Sequence, residues 1–118
     1  MSHIPFQTID WSQVPTTNHP GETGVSVWQT VQFPGLRLRR VSYAAGYLAD
    51  HCCQKGHFVY CLSGAFQSEL SDGTVVELTA GMSYIVSDEL SSHRSYSAGG
   101  VELLIIDGDF LQLTSLPQ

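Results

Sequence analysis

Apolar and polar residues alternate along most of this chain, in short runs that turn residues separate from one another. Val25 to Phe33 and Leu36 to Tyr43 carry this period-two pattern on either side of Pro34-Gly35, as expected for two strands joined by a turn. No stretch shows convincing helical spacing. About eight to ten short strands at this spacing predict a sandwich or a closed barrel, which leaves few exposed strand edges. The pattern therefore indicates an all-β protein.

Several further runs have the length and the alternation of strands. Asp72-Gly73 is the clearest turn between two of them, because Asp-Gly favours the two-residue loop of a β-hairpin. Ser63-Gly64 and Ala80-Gly81 predict two more turns. The further predicted strands are Tyr47 to Cys53, His57 to Leu62, Ala65 to Leu70, Thr74 to Leu78, Met82 to Val86, His93 to Tyr96 and Val101 to Ile106.

The length of 118 residues is sufficient for one domain with one continuous core. Residues 1–30, which open with a segment rich in Pro, Thr, Asn and Gly, are predicted to form an N-terminal arm that packs on the barrel or on a partner. Residues 31–118 are predicted to form the barrel itself. Apolar residues in the arm, Ile4 to Phe6 with Trp11, together with exposed strand edges, favour a homodimer.

Charge and cysteine content narrow the classes of function. Five Lys and Arg against eleven Asp and Glu give a formal net charge of −6, which repels nucleic acid and anionic membranes, so neither is expected as a partner. Met1 to Asp10 lacks the basic and apolar regions of an export signal, and no run reaches about 18 apolar residues. Three cysteines, Cys52, Cys53 and Cys61, then favour reduced thiols in a cytoplasmic protein over a disulfide framework.

The segment from Gly46 to Gly64, GYLADHCCQKGHFVYCLSG, contains the candidate chemistry. His51 and Cys53 share one face of a predicted strand, because side chains alternate across a strand. A short turn then returns the chain and brings His57 beside them. The sequence therefore predicts two histidines and a cysteine close together inside a barrel.

The returning strand also indicates which of its faces is buried. His57, Val59 and Cys61 lie along one face, and an apolar residue and a free cysteine are typical of a buried face. His93 begins a later predicted strand that a rolled-up barrel can place next to this pair. Neutral imidazoles suit Zn, Cu, Ni and Fe(II), whereas Mg and Ca prefer oxygen ligands.

The region from Leu38 to Asp107 resembles the cupin family. The first cupin motif combines a glycine, two histidines separated by one residue, a glutamate and a closing glycine. Gly81 and His93 resemble the second cupin motif, although its proline, inner glycine and final asparagine are missing here. The positions that correspond to the first motif, in order, are Gly46, His51, Cys53, His57 and Gly64.

The run ADHCCQKGH more narrowly resembles a group of small bacterial cupins named for an Asp-His-Cys-Trp motif, with Cys53 at the tryptophan position. This resemblance implies a cupin double-stranded β-helix, a jelly-roll-like barrel, with one divalent transition metal (Zn, Fe, Ni or Mn) held by His51, His57 and His93. Cys53 is then either a small buried side chain or a further ligand. As a ligand it would close a tetrahedral Zn site, and closed sites are usually structural.

Two functions from different classes stay open for such a barrel. The first is a metal-dependent enzyme that acts on a small molecule, of dioxygenase, isomerase or lyase type, because three imidazoles leave coordination positions for water, substrate or dioxygen. The second is a non-catalytic barrel that binds or senses a small ligand, with a structural metal or none. The fold alone does not separate them, since one barrel supports many chemistries.

Overall fold

The computed structural model describes residues 3–50, 56–87 and 92–111. These residues form an all-β structure with nine strands, as the alternating pattern predicts. Two short 3-10 helices, Trp11–Gln13 and Asp109–Leu111, flank them. The strands are β1 (Thr16–Pro20), β2 (Val25–Phe33), β3 (Leu36–Tyr43), β4 (Tyr47–Leu48), β5 (His57–Leu70), β6 (Val75–Thr79), β7 (Ser83–Val86), β8 (His93–Ser97) and β9 (Val101–Gly108).

One curled antiparallel sheet forms a half-barrel. Its hydrogen-bonded order is β1-β2-β3-β9-β5-β8-β4, and β6 and β7 also pair with β5. The longest strand, β5, has 14 residues and pairs with β6, β7, β8 and β9. Because a single strand has only two edges, its two halves must take different partners, and the sheet curls at the point where the partners change.

The predicted turn at Ser63-Gly64 is wrong, since β5 continues through these residues. The register against β9 shifts between Cys61 and Ser63, as at a β-bulge, which bends a strand without ending it. Gly64 has a φ of 79°, and a Cβ there would collide with the carbonyl oxygen of Gly100. Gly64, which in the sequence is typical of a turn, therefore lies at a bend within one strand.

The hydrophobic core lies on the inner face of the half-barrel. Val59 and Cys61 on β5 belong to it, so the prediction that the His57 face is buried is confirmed. Burial raises the pKa of the Cys61 thiol, and this cysteine acts as a packing residue. The buried cluster consists of Val41, Val59, Cys61, Phe66, Leu78, Val101, Leu103 and Ile105.

The N-terminal segment is attached to the sheet at strand β2. Strand β1 pairs with β2, and the side-chain amide of Gln29 on β2 donates hydrogen bonds to the carbonyl oxygens of Trp11 and Val14, at 2.7 and 3.0 Å. These bonds fix the chain ahead of β1 against the sheet. Within the described ranges, no helix has the length and apolar character needed to cross a membrane.

Candidate functional site

Asp107, near the end of β9, is the hub of a buried polar cluster on the inner face. Arg37 on β3 is its cross-strand neighbour and binds it through two hydrogen bonds, Nε to Oδ1 at 2.9 Å and Nη2 to Oδ2 at 2.8 Å. Arg39 Nη2 donates to Oδ2 at 3.1 Å. Such charge-assisted, two-pronged contacts are the strongest class of side-chain hydrogen bond.

The surroundings of Asp107 keep its carboxyl group ionised. Burial, with only 2% of the residue exposed, by itself would raise its pKa. Hydrogen bonds from His57 and Arg37 and the charges of Arg39 and Arg37 outweigh that effect and hold the pKa well below its ordinary value. The carboxylate is therefore a permanent hydrogen-bond acceptor, and a poor base.

His57, the first residue of β5, belongs to this cluster and donates a hydrogen bond to Asp107. Its Nδ1 lies 3.2 Å from Asp107 Oδ2, and an ionised carboxylate can only accept, so the proton resides on Nδ1. The neutral ring then has its lone pair on Nε2, which is the arrangement of an imidazole that binds a metal or accepts a proton. His57 is 7% exposed, so Asp107 and the sheet fix its orientation.

His93, the first residue of β8, lies beside His57. The ring centroids are 5.5 Å apart with an angle of 81° between the planes, and His93 is 4% exposed. The ring of Tyr84 on β7 also packs against His93, with 5.9 Å between centroids. Two of the predicted metal-ligand residues are thus adjacent in the interior.

A cavity of about 230 Å³ opens between these histidines and the arginine cluster. Aromatic side chains, two histidines and two arginines belong to its wall. The Arg39 guanidinium lies 4.5 Å from the ring centroid of Trp28, as in a cation–π contact. The aromatic and histidine residues of the wall are Trp28, Tyr43, Tyr47, His57, Phe66, Tyr84 and His93.

Two stacked tyrosines line one side of this cavity. The rings of Tyr43 and Tyr47 have centroids 4.4 Å apart and an angle of 22° between planes. Burial, with smaller contributions from Tyr43 and Asp50, raises the pKa of Tyr47 to about 12. Tyr47 is therefore a neutral hydrogen-bonding group at neutral pH, and it can orient a ligand but does not supply a base.

The predicted residues His51 and Cys53, together with Cys52, lie outside the described residues. Within ranges 3–50, 56–87 and 92–111 there is no group of three or more His, Cys, Asp or Glu side chains arranged to hold a metal ion. The structure thus brings together His57 and His93, and the metal site that includes His51 stays a prediction.

The polar cluster around Asp107 is the part of the site that sequence reasoning missed. Alternation does place Arg37 and Arg39 on the same face as Val41, which is a signal that these arginines point inward. Asp107 likewise alternates with Ile105 and Leu103. Tyr43, Tyr47 and Tyr84 line the cavity, whereas Tyr60 and Tyr96 are exposed.

No protein-family model matches this chain, and no curated protein matches it. Its structure is similar to that of an RmlC-like cupin from Shewanella frigidimarina, with 20% sequence identity, a TM-score of 0.66, and coverage of 92% of this chain and 91% of that chain. Ectoine synthase from P. lautus matches with 17% identity, a TM-score of 0.70, and coverage of 92% of this chain and 80% of that chain.

A metal-containing protein is also among the similar structures. The Fe(II) form of HppE matches with 14% identity and a TM-score of 0.70, covering 91% of this chain and 63% of that chain. At these identities the similarity concerns the fold. The curled antiparallel sheet, the buried inner face and these matches together establish that the chain has the cupin fold.

Proposed function

We propose that this chain is a small metal-binding cupin that acts as a metal-dependent enzyme on a small molecule. One divalent transition metal ion, Zn, Fe, Ni or Mn, would be held by His51, His57 and His93. The observation that carries the proposal is the contact between His57 Nδ1 and Asp107 Oδ2 at 3.2 Å. A carboxylate behind a ligating imidazole fixes the tautomer and the ring orientation that metal binding needs.

His57 and His93, the two described members of this ligand set, have side chains suited to such an ion. Neutral imidazole is a suitable ligand for all four metals, and the ionised Asp107 keeps the His57 proton on Nδ1. When bound, the metal would polarise a substrate oxygen or, as Fe(II), activate dioxygen, which covers reactions of dioxygenase, isomerase or lyase type. The chain itself would exclude water with its aromatic wall and orient the substrate with Arg37 and Tyr47.

Cys53 has two possible roles in this proposal. As a small buried side chain it leaves an open three-histidine site, which is the role we favour because the related cupins are named for a tryptophan there. As a fourth ligand it would give a closed tetrahedral Zn site. The run ADHCCQKGH supports membership of the group named for the Asp-His-Cys-Trp motif, and reduced thiols fit a cytoplasmic location.

Metal content tests this proposal directly. Elemental analysis of protein purified without a histidine tag compares the parent with His57→Ala, Cys53→Ser and the control His19→Ala. His19 stacks on Trp28 and is not a cavity-lining residue. We expect near-stoichiometric metal in the parent, in Cys53→Ser and in His19→Ala, and its loss in His57→Ala. A parent that binds none of Zn, Fe(II), Ni or Mn would refute metal binding.

A non-catalytic barrel that binds or senses a small ligand is the second candidate function. It is favoured by the poor basicity of Asp107, because hydrogen bonds from His57 and Arg37 hold the pKa of this carboxyl group well below its ordinary value. Oxygen consumption and product formation with small carboxylic acids separate the two functions. Turnover that disappears in His57→Ala supports the enzyme, whereas saturable binding without turnover supports the binding barrel.

We also propose that the chain forms a homodimer through the outer face of its sheet. On this face, directly paired apolar residues form a row that crosses five strands. Neighbouring strands are about 4.8 Å apart, so the row extends about 19 Å. Ile85 in such a row is 66% exposed, and Phe6 in the N-terminal arm is 99% exposed. Two copies related by a twofold axis can cover both features at once. The row of directly paired apolar residues is Val31, Leu38, Ile106, Phe58 and Ile85.

A further inference from the structure

A second cavity adjoins the first inside the half-barrel. It has a volume of about 220 Å³, and Tyr84 and His93 line both cavities. Leu70, Val76, Ile85 and Val86 make its wall mainly apolar, and Val76 and Ile85 are also exposed to solvent. We call the first cavity, with its arginines, the polar chamber, and the second the apolar chamber. The two chambers differ in chemistry and meet at a candidate metal ligand, His93.

Strand pairing places the apolar chamber on the same inner face as the candidate site. Leu70 on β5 pairs directly with His93 on β8, and Val86 on β7 pairs directly with His57 on β5. Directly paired residues of antiparallel strands point to the same face of a sheet. The apolar chamber is therefore a continuation of the barrel interior beyond the two histidines.

Each chamber has one buried side-chain polar atom without a hydrogen-bond partner. Among the described residues these atoms are Arg39 Nε and Ser68 Oγ. Arg39 lines the polar chamber. Ser68 lines the apolar chamber and is the one serine or threonine among the described residues of its wall. Buried polar groups without partners are rare and costly, which makes them candidate anchors for a ligand.

The polar chamber is suited to an acidic head group. Among the described residues, Arg37 and Arg39 form ion pairs with one buried carboxylate, Asp107. Asp50, the second carboxylate in the described part of the wall, is exposed. Guanidinium groups present a planar fork of donors that matches a carboxylate, and a partly desolvated site strengthens the attraction.

We infer that the barrel binds an elongated amphipathic carboxylic acid, with its carboxylate in the polar chamber and its aliphatic body in the apolar chamber. The inference rests on the proposed binding of a small molecule in the barrel and names the class of that molecule. Tyr84 and His93 then contact the middle of the ligand. Ser68 can turn its hydroxyl between staggered rotamers to meet a polar atom near the far end.

Binding of unbranched carboxylates from butanoate to octanoate tests the inference. Calorimetric titration uses the full chain after treatment with a chelator, so that the result is independent of metal. We expect affinity to rise about three- to fourfold for each added methylene until the apolar chamber is filled. 1-Octanol, which lacks the carboxylate, is expected to bind at least tenfold more weakly than octanoate. Equal affinity for butanoate and octanoate would overturn the inference.

Two adjacent valines on β6 provide a matched pair of variants. Val76 lines the apolar chamber, whereas Val75 pairs with the exposed Glu69 on the opposite face. Val76→Phe fills the chamber and is expected to weaken octanoate binding at least tenfold while butanoate binding stays within twofold. Val75→Phe adds the same bulk outside and is expected to leave both affinities unchanged. Equal effects of the two substitutions would contradict the placement of the aliphatic body.

A second pair of variants, with smaller changes, tests the same placement if phenylalanine at these positions disturbs folding. Val76→Thr is isosteric and introduces a hydroxyl into the chamber, so octanoate binding should weaken severalfold, whereas Val75→Thr should have no effect. Metal content, measured separately, distinguishes the two proposals. A protein that takes up metal through His57 and binds no carboxylate refutes the ligand class alone, and one that binds octanoate without taking up metal refutes the metal site alone.

Discussion

His57 Nδ1 and Asp107 Oδ2 lie 3.2 Å apart, on the inner face where β5 and β9 pair. This contact joins a candidate metal ligand to a carboxylate that already accepts hydrogen bonds from Arg37 and Arg39. The cluster stabilises the fold and orients the histidine at the same time. Substitutions that change the charge of Asp107 should therefore affect both stability and metal binding.

Asp107→Asn should destabilise the protein by about 3 kcal/mol, because it leaves the buried Arg39 guanidinium without its counter-charge. The exposed pair of Arg40 and Glu102, 3.9 Å apart on the same two strands but on the outer face, supplies the control. Glu102→Gln should cost no more than about 0.5 kcal/mol. Urea unfolding of the parent and the two variants measures the difference, and equal midpoints would contradict the role of Asp107.

Asp107 should also make stability sensitive to acid. Its pKa in the folded protein is lower than in the unfolded chain, where an aspartate has a pKa of about 3.9. The unfolded state therefore binds the proton first, so this contribution to stability is present above about pH 4 and is lost as the pH falls towards the folded pKa. The free energy of unfolding should fall more steeply with acidification in the parent than in Asp107→Asn. Parallel pH profiles would contradict this linkage.

Tyr47 should lose its proton at a higher pH than a tyrosine in the unfolded chain. Burial raises its pKa to about 12, above the unfolded value of about 10. Its contribution to stability is therefore present below about pH 10 and is lost as the pH rises towards 12. In an ultraviolet absorbance titration, Tyr47→Phe should remove a late component of phenolate formation. Tyr60→Phe, at an exposed position, is the control and should leave that late component in place.

Ile85→Lys should separate the proposed homodimer into single chains. The substitution places a charge in the apolar row next to Phe58, and burying it in an interface is unfavourable. Val75→Lys, on an exposed residue of another strand, is the control and should leave the dimer intact. Light scattering at micromolar concentration measures the mass. A parent with the mass of one chain would exclude the dimer in that concentration range.

The alternation of apolar and polar residues was sufficient to predict most of the strands and the buried face of β5. Val25–Phe33 and Leu36–Tyr43 form strands with the predicted bounds, and the inward face of His57, Val59 and Cys61 is buried. The face to which a side chain points can be predicted locally, because successive side chains along a strand point to opposite faces of the sheet. The resemblance to cupins predicted the cupin barrel, and the structural matches confirm that fold.

Local pattern did not distinguish a bend from a turn. Ser63-Gly64 has the composition of a turn, but β5 continues through it, because the close approach of Gly100 and the change of partner strands favour a bulge there. Tyr60 and Tyr96 have the size and apolar character of core residues, yet their positions in register direct them outward. Both outcomes depend on neighbours that are remote in sequence.

The sequence by itself determined the fold class, the buried face of β5 and the presence of histidines suited to a metal. Only the tertiary structure decided that Arg37 and Asp107, which are 70 positions apart, meet behind His57, and that the interior continues past His93 into an apolar chamber. The physical reason is that alternation specifies the face of each residue. The pairing order and register of the strands, set by packing of the whole sheet, specify which residues on that face become neighbours.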